Sequence, residues 1–262
     1  MNWTSLLRDP AKTLLALDFD GTLSPIVQDP TRAFIHPRAA AALLRLAKGL
    51  GQVAIVTGRP VAQVRELAGF VDGQTPNGLV VFGQYGVEWW DSATGESIEP
   101  DRPQVIADAV AELPQFLAGF DAGEALVEDK RIAVAVHTRG IGERLSEQLL
   151  EPIQAFAEQF GLLVEPGRQV LELRQPGSDK GKSVQTLARD LGAECVIYAG
   201  DDLGDLPAFA VLDQFRAEGL TTCKIAVSSD QQAVISEFAD IAMDSTEAFA
   251  EWLEGYAGAL GI

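Results

Sequence analysis

The sequence predicts an α/β protein, a parallel sheet with helices on both faces, interrupted by an inserted α+β unit. Three observations lead there. Short apolar strands alternate with helical segments in the first third of the chain. The middle runs helix, strand, strand, helix, strand, strand. The last third returns to the style of the first. Alternating strands and helices build parallel βαβ units, and strands that are apolar throughout, such as Leu14–Leu17 (LLAL), are those covered on both faces. The expected division is residues 1–100 and 177–262 for the parallel domain and 101–176 for the insertion.

In order, Leu14–Leu17 is the first buried strand. His36–Gly49 (HPRAAAALLRLAKG) is a helix, with Pro37 near its start and Gly49 at its end. Gln52–Val56 is a strand ending in Thr57, Gly58 and Arg59. Pro60 opens a helix over VAQVRELAGF, and Leu79–Phe82 is a third strand. Within the insertion, Asp101–Leu117 and Gly142–Phe160 are helices. Strands are expected at Ala125–Glu128, Ile132–His137, Leu162–Glu165 and Gln169–Leu173, and this αββαββ order makes a small antiparallel sheet with helices on one face. The chain closes with helices at Lys182–Leu191, Leu206–Asp213 and Ala248–Tyr256 and strands at Cys195–Ala199 and Thr222–Val227. Trp89-Trp90 reads as core packing in preference to a sugar platform.

Composition narrows the function. The 262 residues carry a formal net charge of −18, with pI ≈ 4.4 and mean hydropathy +0.09. Nucleic acid and anionic membranes, which need a basic face, are disfavoured as partners. An anionic small molecule is not, because a few cations or a metal can invert the sign of one pocket. Cys195 and Cys223 have no metal-site spacing and imply a reduced, intracellular chain. The start, MNWTSLLRDPAKTLL, lacks the pattern of a signal peptide, and no apolar run approaches the ~20 residues of a membrane span. The expectation is a cytoplasmic protein, with a monomer favoured.

The chemistry gathers at strand ends, where open α/β sheets place their sites. Asp18 and Asp20 follow the first strand, Thr57 and Arg59 the second, and Asp201, Asp202 and Asp205 a late one. Two unit charges ~4 Å apart interact by about 4 kcal/mol at an effective dielectric of ~20. Carboxylates meeting in one crevice therefore need a cation, and a hard oxygen-rich site suits Mg²⁺. Gly177-Ser-Asp-Lys-Gly181-Lys182-Ser183 is a nucleotide-loop decoy: three residues separate its glycines where the phosphate-binding loop has four.

These residues resemble a known family. Asp18-Phe-Asp20-Gly-Thr22, Thr57, Lys180 and Gly200-Asp-Asp-Leu-Gly-Asp205 resemble the four motifs of the haloacid dehalogenase (HAD) superfamily of phosphatases. With DFDGTLSPIVQDP, TGR, VEDK, HTR, GRQVLEL and DKGKS in this order, the chain is similar to trehalose-6-phosphate phosphatases over roughly residues 14 to 210. Two segments depart from that family: Gly83-Gln-Tyr-Gly86 has Tyr85 where a histidine is usual, and Gly204-Asp205-Leu206 stands for Thr-Asp-Glu.

The resemblance implies a HAD-like Rossmannoid core with a C2-type cap formed by the insertion. It implies Asp18 as nucleophile, Asp20 as general acid and base, Thr57 as a phosphoryl contact and Lys180 as the charge-neutralising cation. Mg²⁺ would be held by Asp18, the Asp20 carbonyl, Asp201 and Asp202, with Asp202 or Asp205 as the outer contact. Gly21, Gly58, Arg59, Glu128, Lys130, His137, Arg139, Arg168 and Glu172 would bind substrate. The implied substrate is trehalose 6-phosphate. Another sugar phosphate (sucrose phosphate, or a mannosyl- or glucosyl-phosphoglycerate) and a non-catalytic sugar-phosphate sensor are the alternatives.

Overall fold

The structure, a computed structural model, describes residues 5–71, 75, 77–167, 169–177, 179–228 and 235–262. The chain forms two compact units, Met1–Glu99 with Asp179–Ile262, and Pro100–Ser178 between them.

The first unit is built on β1 (Thr13–Leu17), β2 (Gln52–Val56), β3 (Leu79–Gly83), β4 (Glu88–Asp91) and β5 (Ser97–Ile98), continued by three later strands. These are β10 (Cys195–Gly200), β11 (Thr221–Val227) and β12 (Ile241–Met243). Their order is β12-β11-β10-β1-β2-β3-β4-β5. From β12 to β3 every pairing is parallel, and β4 and β5 extend the edge antiparallel. Residues of β1 alternate between two apolar layers, as the period of a strand requires. Leu15 and Leu17 join α1 (Pro37–Gly49), α2 (Val61–Ala68) and α7 (Thr246–Ala259). Leu14 and Ala16 join α5 (Lys180–Leu191) and α6 (Leu206–Ala217).

The short strands β4, β5 and β12 were not anticipated. β4 is the four residues Glu-Trp-Trp-Asp, with charged ends that hide a strand signal. It alternates cleanly in space. Trp90 is fully buried, stacked on Phe70 with centroids 6.4 Å apart and covered by Arg65 at 4.4 Å, so it is a core residue. Trp89 is half-buried on the other face of the strand.

After β1 the chain moves to β2 on one side, and it returns much later to β10 on the other. The junction of β1 and β10 is thus the topological switch point, where the strand ends leave a crevice. The pairing Leu17↔Ala199 sets both strands to end level, and Asp18 N–H extends the ladder to the Ala199 carbonyl at 2.9 Å.

The second unit contains α3 (Gln104–Ala118), β6 (Leu126–Asp129), β7 (Ala133–His137), α4 (Glu143–Gln159), β8 (Leu163–Gly167) and β9 (Val170–Arg174). The strands form an antiparallel sheet in the order β6-β7-β9-β8. Val134, Val136, Leu171 and Leu173 point to one face and pack with Ile106, Leu113, Ile153 and Phe156 of the helices. The intervening residues face away from the helices, so the register lines up Glu128, Ala135, Glu172 and Glu165 across the sheet. Among the described residues no helix is long and apolar enough to cross a membrane.

Candidate active site

Asp18 leaves the end of β1 and Asp201 the end of β10, and both are buried. With Asp205 they offer carboxylate oxygens that all lie within 4.8 Å of one another. Lys180 reaches in from the first turn of α5, 2.9 Å from Asp18 Oδ1 and 2.7 Å from Asp205 Oδ1. A lysine at a helix N-terminus opposes the helix dipole, and here the buried carboxylates offset that cost. Burial by itself would lower the Lys180 pKa; Asp18 and then Asp205 outweigh it and hold the ammonium well above its ordinary value. Burial pushes Asp18 up to about 8, opposed chiefly by Lys180. Burial, then the charge of Asp18, raises Asp201 to about 10. One ammonium cannot balance three ionised carboxylates, so without a metal Asp18 and Asp201 keep their protons to higher pH.

Asp205 is already saturated. Oδ1 accepts from Lys180 Nζ and from the Tyr198 hydroxyl at 2.6 Å; Oδ2 accepts the backbone N–H groups of Asp201 at 2.9 Å and Asp202 at 3.1 Å. Four donors use the roughly four acceptor sites of a carboxylate. Asp205 is therefore the staple that shapes the loop after β10, and within this buried trio Asp18 and Asp201 are the members that could hold a metal. Their hard oxygen donors and the unbalanced charge fit a divalent ion such as Mg²⁺. Asp202, expected among the ligands, also caps the turn. Its Oδ1 accepts Gly204 N–H at 2.9 Å, closing a capping box with Asp205, because a side chain at this N-cap is drawn to the exposed N–H groups of the turn. Tyr198, fully buried within β10, was missed because nothing local separates it from a core tyrosine.

Gly21 is required twice over. Its φ is +76°, and a Cβ there would lie 2.1 Å from Asp201 Oδ2. The turn it makes carries Asp20 to Arg59, whose Nε and Nη2 donate to the two Asp20 oxygens at 2.5 and 2.7 Å in a bidentate pair. Arg59 thus engages Asp20, and its Nη1 donates to the Pro30 carbonyl at 3.0 Å. Thr57 is buried, and its Oγ1 accepts Arg59 N–H at 3.2 Å. Beside it, Gln84 and Tyr85 take φ of 47° and 59°, left-handed conformations that cost on the order of 1–3 kcal/mol each for such residues. The Tyr85 ring leans on Gly58, where a Cβ would sit 2.9 Å from Cζ.

In the second unit, His137 Nε2 and Glu128 Oε2 are 2.8 Å apart, and Lys130 pairs with Glu172. The other Glu172 oxygen, Oε1, is buried without a hydrogen-bond partner among the described residues. Arg139 Nε donates to Gln169 Oε1 at 3.0 Å. Arg168 lies outside the described residues. Arg174 Nη2 donates to Glu165 Oε2 at 2.7 Å on the same sheet face as Glu128 and Glu172. Sequence reading passed over this pair, although a period of two from Glu172 points to Arg174.

The family model described as trehalose-phosphatase matches residues 16–242. A trehalose-phosphate phosphatase of Mycobacterium tuberculosis is 32% identical over 251 residues, covering 89% of this chain and 61% of that protein. An uncharacterized glycosyl hydrolase of the same organism is 36% identical over 203 residues, covering 74% of this chain. The chain spans only 15% of that second protein's length. Among solved structures, the C-terminal domain of the Candida albicans trehalose-6-phosphate phosphatase superposes with a TM-score of 0.73 at 20% identity, over 95% of this chain and 92% of that one. A haloacid dehalogenase-like hydrolase from Bacteroides thetaiotaomicron gives 0.62 at 16%, over 93% and 98%. The fold is that of the HAD hydrolases.

Proposed function

Since the chain belongs to the trehalose-phosphatase family, we propose that it is a Mg²⁺-dependent phosphatase that hydrolyses trehalose 6-phosphate to trehalose and phosphate. The observation that carries this reading is the buried Lys180–Asp18 pair, 2.9 Å long, beside Asp201 at the switch point of the sheet.

In this reading an Asp18 carboxylate oxygen attacks phosphorus while the bond from phosphorus to the sugar oxygen breaks. Asp20, released from Arg59, gives its proton to the departing oxygen. The aspartyl-phosphate on Asp18 then yields to a water whose proton Asp20 takes, which splits one hard displacement into two. Lys180 neutralises charge that builds between Asp18 and the phosphoryl group, and Thr57 donates to a phosphoryl oxygen. Asp18, Asp201, Asp202 and the Asp20 carbonyl would hold Mg²⁺, which when bound lets an anionic nucleophile approach an anionic ester. Glu128, Lys130, His137, Arg139, Arg168 and Glu172 are proposed to read the sugar hydroxyls, the insertion serving as a cap. A cytoplasmic monomer belongs to the same reading.

The test is phosphate release from trehalose 6-phosphate, sucrose 6-phosphate, glucosyl- and mannosyl-phosphoglycerate and glucose 6-phosphate, with Mg²⁺ and with EDTA. Trehalose 6-phosphate should lead, and EDTA should abolish turnover. A preference for another ester moves the substrate but keeps the chemistry, and Tyr85 is the residue that keeps that second reading in view. Asp18→Asn should fold and be inactive; undiminished turnover would overturn the nucleophile.

A further inference from the structure

Resting on the phosphatase reading and reaching past it to the choice of ester, we infer that Tyr85 is a specificity-determining residue, its ring forming a wall against which the alcohol part of the phosphate ester is sorted.

The backbone is the first reason. Gln84 and Tyr85 are consecutive non-glycine residues at φ 47° and 59°, although Gly83 and Gly86 flank them. A turn that needs only positive φ takes Gly, Asn or Asp. Keeping a tyrosine there keeps a side chain at the expense of backbone comfort, and strain held in this way concentrates at ligand sites.

The strain is pinned from several directions. Gln84 N–H donates to the Arg59 carbonyl and Tyr85 N–H to the Thr57 carbonyl, both at 2.9 Å. Gln84 Nε2 donates to Glu88 Oε1 at 2.8 Å, while Oε2 of that buried carboxylate accepts Val61 N–H at 2.8 Å.

The position is the second reason. Tyr85 is half-buried, and its ring occupies the space a side chain at residue 58 would need, with Cζ and the hydroxyl each 2.9 Å from that point. The bare Gly58 makes room for the ring, and in the chain Gly58 joins Thr57, proposed to hold the phosphoryl group, to Arg59, which holds the proton donor Asp20. The proton donor acts on the alcohol oxygen that departs, so a ring packed on Gly58, the neighbour of the arginine that holds this donor, is placed in the proposal on the alcohol side of the ester. An aromatic face packs on the C–H face of a pyranose and the phenol rim pairs with hydroxyls.

The experiment compares kcat/KM for trehalose 6-phosphate with that for acetyl phosphate, an acyl phosphate that releases acetate and has no alcohol part, in wild type, Tyr85→Asn and Tyr85→His. Asn and His both tolerate the left-handed conformation. Asn removes the ring and His shortens it. The ratio is expected to fall at least tenfold in Tyr85→Asn, chiefly through KM, and at least threefold in Tyr85→His. The histidine variant decides the matter if the asparagine variant does not fold. A ratio within twofold of wild type in the folded variants makes Tyr85 a packing residue and overturns the inference alone. A wild type inert on every ester overturns the phosphatase reading and this inference with it.

Discussion

Tyr198 donates its phenolic hydrogen to Asp205 at 2.6 Å, with both side chains closed off from solvent. That bond ties the middle of β10 to the loop that follows it. The same carboxylate holds Lys180 and the N–H groups of Asp201 and Asp202, so a single donor contributes to the shape of the whole acidic cluster. Tyr198→Phe keeps the volume and removes the donor. Hydrogen bonds to charged groups contribute about 1.5–3 kcal/mol, and urea unfolding of the variant is expected to show a loss in that range. A variant as stable as wild type would mean that Asp205 is satisfied without the phenol.

Acid–base behaviour should expose the uncompensated charge. In the folded chain Asp18 is raised to about 8 and Asp201 to about 10 from an ordinary 3.8, in each case first by burial. A folded pKa above the unfolded one means the unfolded chain loses its protons first. The stability of the metal-free protein is therefore greatest below about pH 4 from these two groups, and is lost progressively as pH rises through 8 to 10. A divalent ion binding the ionised pair reverses the penalty and displaces protons. The rise in Tm on adding 10 mM MgCl₂ should thus be larger at pH 8.5 than at pH 6, and calorimetry in two buffers should register proton release. A Tm gain independent of pH would place the ion elsewhere.

Gly21 and Gly95 separate backbone strain from crowding. Both have positive φ, +76° and +73°, but a Cβ at Gly21 would strike Asp201 whereas nothing lies within 4 Å at Gly95. Each Gly→Ala change should lose about 1–2 kcal/mol from the left-handed conformation. Only Gly21→Ala should also lose the proposed phosphatase activity, by a hundredfold or more, since Asp201 must move. Equal activity in the two variants would remove Asp201 from the site.

In the second unit, Lys130 compensates Glu172, whose side chain is 7% exposed. Lys130→Met strands that carboxylate, and breaking a buried pair from one side costs about 3–5 kcal/mol. Adding Glu172→Leu should recover most of the loss. Chemical denaturation followed by hydrogen exchange at Ala135 and Leu173 measures both, and no recovery in the double variant would show that the pair is not the cause.

Much of the fold was legible because its signals are local. Leu14–Leu17, Gln52–Val56 and Cys195–Ala199 read as buried strands from apolar runs of the right length, and each was found within a residue or so of its place. β4, β5 and β12 were not read, since two to four residues carry too little pattern and their strand character comes from a neighbour's free edge. The site divided in the same way. Asp18 and Asp201 announced themselves as charged residues at strand ends, while Lys180 entered only through the family resemblance. Asp205 as the staple and Tyr198 as the hidden donor did not announce themselves.

By itself, then, the sequence determined the alternation of strand and helix and the carboxylates that stand at the strand ends, because periodicity and turn chemistry act over a few residues. The tertiary structure alone decided which of the carboxylates in Asp201, Asp202 and Asp205 faces Asp18, which is saturated, and that Arg59 grips Asp20. Those outcomes depend on β1 and β10 lying side by side in one register, some 180 residues apart in the chain. Which lone pairs remain open is settled only when every donor around them has been placed.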